Sequence, residues 1–262
     1  LGALFAQFEE GWRPAPAPEW PSQSELEGVL AEESAEMVRE EGLPLVGLGR
    51  ALAERARPYL EIAHSVIEEN RRGGFSFAAS EAQGSVEGAA DSGGRLTFRA
   101  DRVDLTTDGS WVFTDWKTGK PLSEKKKPEN RRADQLTRAR QGTLLQAAAY
   151  ARAAGIGRYV YVRPEAEFRE FEVRADDAEH ASALAAAAAA GFGARDRGSF
   201  FPRLVDPQGE KEPNRCRYCE VAEACLRGDS GARRRLFEWA LRGDGERGAP
   251  EQAALAVWRL GQ

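Results

Sequence analysis

The stretch that most constrains this fold runs from Leu96 to Lys117. Two runs of alternating apolar and polar residues flank Thr107-Asp108-Gly109-Ser110, a tight-turn sequence. Period-2 alternation on both sides of an Asp-Gly turn predicts a β-hairpin, with strands over 96–105 and from Trp111 onward. Asp101, Asp115 and Lys117 lie along it. Asp115 and Lys117 are two apart, so on extended backbone they leave one face of the strand. Two carboxylates converging beside an ammonium group make a donor set for a divalent cation in a hydrolase. The carboxylates hold the ion, and the lysine offsets charge on a phosphate or positions a water.

The rest of the chain predicts helices around a sheet. Residues 1–10 place Leu4, Phe5 and Phe8 on one helix side, and 13–21 form a proline-rich connector. Ser24 is the expected cap of a helix over 25–41, with Glu27 at the capping-box position, and a longer helix is expected over 45–72. His64 lies inside it, where packing or surface exposure is the favoured role. A strand is expected over 75–90. Glu81 on it either joins the acidic pair from a neighbouring strand or stands as an exposed carboxylate. A basic loop then leads to a helix over 134–154 that carries Gln141, Gln146 and Tyr150. Gln146 and Tyr150, four apart, share a helix face. Strands over 158–163 and 167–173 follow, and then an alanine-rich helix over 176–195. The order predicts one α/β domain, a central mixed β-sheet flanked by helices.

Charge is unevenly spread. The net value of −5 disfavours nucleic acid, and residues 1–41 carry ten acidic and two basic side chains. Residues 117–140 reverse this, with nine basic side chains against three acidic. Lys120, Lys125, Lys126, Lys127, Arg131 and Arg132 therefore form a candidate phosphate-backbone surface. On charge alone a solvated loop is the favoured reading. With 42% apolar residues the chain can build a sizeable core, yet it has no apolar run of membrane-spanning length. The first residues lack a basic start and a cleavage site, so no signal peptide is read there, and the opening mid-helix suggests an excised domain. The three cysteines, Cys216, Cys219 and Cys225, fall within ten residues. That spacing suits a metal or iron–sulfur site in a reducing, cytoplasmic setting better than a disulfide framework. One ligand is missing for a four-thiolate site, so the fourth comes from outside the chain, from another residue type, or not at all.

In order, Asp101-Arg-Val-Asp104, Asp115-Trp-Lys-Thr-Gly119, Gln146-x3-Tyr150 and Cys216-x2-Cys219-x5-Cys225 resemble the nuclease domain of the RecB/AddB type, within the PD-(D/E)XK superfamily. The resemblance covers most of the chain and implies a restriction-endonuclease-like fold. It divides 1–262 into a helical part (1–72), a catalytic α/β core (73–200) and a cysteine-cluster segment with a helical tail (201–262). By this resemblance Asp101, Asp115 and the Trp116 carbonyl bind Mg2+ or Mn2+, Lys117 is catalytic, and Gln146 and Tyr150 line the site and contact DNA. It also implies a [4Fe-4S] cluster on Cys216, Cys219 and Cys225, and a helicase segment or subunit as partner in double-strand break repair. The family's early histidine ligand falls at Ala6 in this chain, four residues after Gly2. That departure keeps open a catalytically impaired DNA-binding or scaffolding module, and the cysteines keep open a zinc-binding interaction domain.

Overall fold

A computed structural model describes residues 20–42, 45, 47–87, 94–199, 219–225, 229–242 and 248–261. Among them are five strands in one sheet, in the spatial order β1-β2-β3-β4-β5: β1 (Ser76–Glu87), β2 (Arg95–Leu105), β3 (Trp111–Lys117), β4 (Gly155–Tyr161) and β5 (Glu170–Arg174). Only the β3–β4 pair is parallel, so the sheet is mixed. The helices are α1 (Gln23–Glu40), α2 (Leu48–Arg72), α3 (Pro128–Arg140), α4 (Gln146–Ala154), α5 (Ala178–Asp196), α6 (Ser230–Leu241) and α7 (Ala249–Trp258). This is the expected α/β architecture.

Side-chain alternation gives the sheet two unlike faces. Val103, Phe113, Tyr159, Tyr161, Phe171 and Val173 point into a core completed by the alanines and Tyr150 of α4 and by Leu184 and Phe192 of α5. Helix α3 joins this layer by packing Leu136 and Ala139 on Ala183 of α5, and α7 packs on α5 from beyond. Helices α1 and α2 pair with each other, close enough that a Cβ at Gly49 would touch the Ala35 backbone at 3.5 Å.

Two local expectations need correction. The cap of α1 is Ser22, not Ser24: its side chain accepts from the Glu25 N–H, and Glu25 returns the bond. Ser22-x-x-Glu25 is an equally good capping box, and it lies next to Pro21, where the chain is still extended. The single helix expected over 134–154 is two. Gly142 and Leu144 both adopt left-handed backbone, φ +73° and +53°, and end α3 before α4 begins. Left-handed residues cannot continue a right-handed helix. The break makes Gln146 the first residue of α4.

Candidate active site

The β2–β3 ladder pairs Leu105 with Trp111, Asp104 with Val112, Val103 with Phe113 and Arg102 with Thr114, and goes no further. Asp101 is the next residue on β2. Its Oδ2 accepts the Trp116 N–H at 2.7 Å, so a carboxylate takes the bond that a ladder carbonyl would otherwise take. The strands fork here, and β3 continues beside β4 with Asp115 opposite Tyr159 and Lys117 opposite Tyr161.

Asp115 is 4% exposed. Its Oδ2 lies 2.6 Å from Lys117 Nζ. The contact is an ion pair rather than an aligned hydrogen bond, since Oδ2 makes no hydrogen bond among the described residues. Lys117 Nζ also donates to Gln146 Oε1 at 3.1 Å and sits 5.6 Å from the centre of the Tyr159 ring. Burial raises the Asp115 carboxyl above its ordinary range, Asp101 adds to the rise, and Lys117 and Gln146 pull against it. A buried carboxylate oxygen with a free lone pair, beside a second carboxylate at the fork, is chemistry a hard divalent cation satisfies. Mg2+ is commonly held by one or two carboxylates plus water and phosphate. The donor set fits that pattern, although no group of three or more His, Cys, Asp or Glu side chains converges among the described residues.

Of the expected site residues, Asp101, Asp115, Lys117 and Gln146 come together, and the Trp116 N–H is anchored on Asp101. Tyr150 meets the site from beneath, its hydroxyl beside Gln146 and within the field of Asp115 and Asp101. It is fully buried, with its ring against Phe98 and Phe113, and its hydroxyl donates to the Arg99 carbonyl at 2.7 Å, two residues before Asp101. Burial holds its hydroxyl protonated far above the usual phenol range. The bond to Arg99 ties α4 to β2 next to the carboxylate pair. Glu81 stands level with Asp101 on the neighbouring strand, and the two share the field of Arg99. It pairs with Arg99, and among the described residues no contact joins it to Asp101 or Asp115.

Sequence reasoning overlooked Tyr159. Its hydroxyl accepts the Ala147 N–H at 3.1 Å, capping the start of α4 beside Gln146, while its ring underlies Lys117. The available signal was Gly157, two residues earlier. A Cβ there would lie 2.0 Å from the Ala147 carbonyl oxygen and 2.6 Å from Tyr150 Cβ, so the glycine lets α4 sit directly on β4. Tyr161 lies on the same face. Burial first, and then the Asp115 charge, push its hydroxyl up to about 12.

The basic segment divides in two. Lys125 pairs with Asp134 at 2.8 Å, Arg131 donates to the Lys125 and Lys126 carbonyls and stacks on Phe168, and Arg132 grips Asp177 and Glu179. These three are occupied by the fold. Lys120, Lys126 and Lys127 are exposed and make no side-chain ion pair among the described residues. His64 stacks on Trp20 at 4.3 Å, the packing role expected of it. Cys219 is exposed and Cys225 half-buried, both as free thiols. Cys216, Gly2 and Ala6 lie outside the described residues. No described helix is long and apolar enough to cross a membrane.

The sequence matches the family model of the PD-(D/E)XK nuclease superfamily over residues 3–226. No curated protein matches it. A solved structure titled "Crystal structure of SSO0001" is similar over 86% of this chain and 92% of that chain, with 16% identity and a TM-score of 0.36.

Proposed function

The chain belongs to the PD-(D/E)XK nuclease superfamily, and we propose that it is a Mg2+- or Mn2+-dependent deoxyribonuclease. The observation that carries this reading is the convergence of Asp101, Asp115, Lys117 and Gln146 at the fork between β2 and β3. When bound, the divalent ion polarises the phosphodiester and lowers the pKa of a water. Asp101, Asp115 and the Trp116 carbonyl would hold it there. Lys117 faces the developing phosphate charge and orients the attacking water, and Gln146 and the Tyr159 ring hold the ammonium in place. Water oxygen bonds to phosphorus as one ester P–O bond breaks; the water gives up a proton to solvent and the departing alkoxide takes one from solvent. Lys120, Lys126 and Lys127 supply the backbone contacts for DNA.

The finer assignment, supported by the ordered motifs, is a RecB/AddB-type exonuclease of a helicase–nuclease complex in double-strand break repair. Its setting would be cytoplasmic, with Cys216, Cys219, Cys225 and one ligand from outside the chain on a [4Fe-4S] cluster. Iron stoichiometry and a visible absorbance band test the cluster, and colourless protein with stoichiometric zinc would replace it with a zinc site. Ala6, at the family's histidine position, favours as a second reading a catalytically impaired DNA-binding module. Incubating linear DNA with Mn2+ separates the two. Wild-type protein should degrade it, and Lys117→Ala should do so on the order of 10²–10³-fold more slowly, the usual loss for a group that stabilises transition-state charge. Equal degradation by both proteins, or none by either, would sink the nuclease reading. DNA binding that survives Asp115→Ala without any cleavage would support the impaired module.

A further inference from the structure

The face of the sheet opposite α4 holds charged side chains that the nuclease chemistry does not use. Arg158 on β4 is 2% exposed and Asp104 on β2 fully buried. Arg158 Nε donates to Thr114 Oγ1 on β3 at 2.9 Å. Its Nη1 reaches Glu170 on β5 at 3.3 Å and Asn70 near the end of α2 at 3.4 Å. Its Nη2 lies 3.8 Å from Asp104 Oδ2. Asp104 in turn takes a forked pair of bonds from Arg102, with contacts of 2.7 and 2.9 Å. One cluster thus crosses four strands.

Its place along the strands is what matters. Thr114 is paired with Arg102 on one side and with Arg158 on the other. That rung is the last one shared by β2, β3 and β4 before the fork. The next residues on β2 and β3 are Asp101 and Asp115. Fixing the Arg102–Thr114–Arg158 rung therefore fixes where the strands part, and so how far Asp101 must reach for the Trp116 N–H.

Stability alone does not account for such a cluster. Buried ion pairs are costly to desolvate, and apolar replacements of similar volume are often as stable. Here two donors, Arg158 Nη2 and Asn70 Nδ2, even go without hydrogen bonds among the described residues. What a directional network supplies and an apolar one does not is geometry: a guanidinium fork holds three strands at set distances.

We propose that Arg158, Thr114 and Asp104 form a positioning clamp on the back of the sheet that sets the spacing of Asp101 and Asp115. The proposal deepens the nuclease reading and rests on it for its metal-binding consequence, but not for its structural one. Removing the partners that orient metal ligands commonly weakens metal affinity 10–100-fold.

The test uses Thr114→Val, which keeps the shape of the side chain and removes the acceptor, with Thr114→Ser as the rescue. Arg158→Lys, which keeps the charge and loses the Nε donor, is a second probe should the valine variant not fold. Two quantities are read on the folded protein: hydrogen exchange of the Trp116 amide relative to the Phe113 amide, and Mn2+ affinity by calorimetry. The expected result is Trp116 exchange about tenfold faster with Phe113 unchanged, Mn2+ binding weakened about tenfold, and cleavage recovered at saturating Mn2+. Thr114→Ser should match wild type in all three. Variants with wild-type Trp116 exchange and wild-type Mn2+ affinity overturn the clamp. If wild-type protein shows no Mn2+ binding that Asp101→Ala removes, the nuclease reading fails instead. The Trp116 exchange then decides the clamp by itself: a selective rise upholds it, and no change refutes it.

Discussion

Asp115 is where function and stability pull apart. Its carboxyl is buried, and burial raises it against the opposing pull of Lys117 and Gln146. The folded state therefore keeps a proton over a pH window in which the unfolded chain has already released it. Within that window stability falls as pH rises, and above it the desolvated charge is a standing cost. Asp115→Asn should raise the melting temperature of metal-free protein at neutral pH by a few degrees, about the shift that 1 kcal/mol produces in a chain of this size. The gain should shrink as pH is lowered toward the ordinary carboxylate range. The same variant should lose Mn2+ binding, because a neutral amide replaces the ionised ligand. Thermal scans of both proteins across pH, without metal, check the sign. A variant that melts lower than wild type at neutral pH would show that the Lys117 pair outweighs desolvation. For wild type the complementary expectation is that Mn2+ affinity climbs as pH rises through a value above the usual range for aspartate.

The junction of α4 with β4 decides whether these residues meet. Helix α4 ends at Ala154 and β4 begins at once with Gly155, so the two elements fold back on each other without a loop. Gly157 makes the contact possible, because its missing Cβ is the space the Ala147 carbonyl occupies. Gly157→Ala must push α4 away from the sheet. It should cost about 1–3 kcal/mol, as overpacking of tight cores does, and it should displace Gln146 and the Tyr159 cap together. Cleavage by the folded fraction should fall further than the loss of stability explains, which denaturant unfolding and single-turnover cleavage on one preparation will show. The hairpin and its acids were legible in the sequence because period-2 alternation and an Asp-Gly turn are local signals. The split between α3 and α4 was not. Gly142 was visible, but the second left-handed residue is Leu144, a type that rarely adopts that backbone. The burial of Tyr150 was equally hidden: helical spacing puts it on the Gln146 face, but only the tertiary contact with Arg99 shows that this face is buried at Tyr150 and open at Gln146.

Over the whole molecule, net charge says little about how DNA would be met, because the fold consumes much of its own basic surface. Six side chains of the loop and of α3 looked equivalent in sequence. Arg132 instead bridges α3 to the start of α5 through Asp177 and Glu179, and Lys125 closes the loop on Asp134. Sequence cannot separate the two groups, since the partners of Arg132 lie more than forty residues away. The structure separates them by what each charge already touches. Replacing Lys120, Lys126 and Lys127 together with Ala should weaken DNA binding and flatten its dependence on salt. Each lost phosphate contact removes about 0.9 from the slope of log affinity against log salt concentration on duplex DNA. The melting temperature should barely move, since exposed charges add little stability. Arg132→Ala should do the reverse, lowering the melting temperature while leaving the salt slope intact. Binding titrations over a range of salt, paired with thermal melts of both variants, distinguish the outcomes. A triple variant with an unchanged slope would place the DNA path away from this loop, while an Arg132→Ala variant with a reduced slope would mean that its ion pairs open to admit the phosphate backbone.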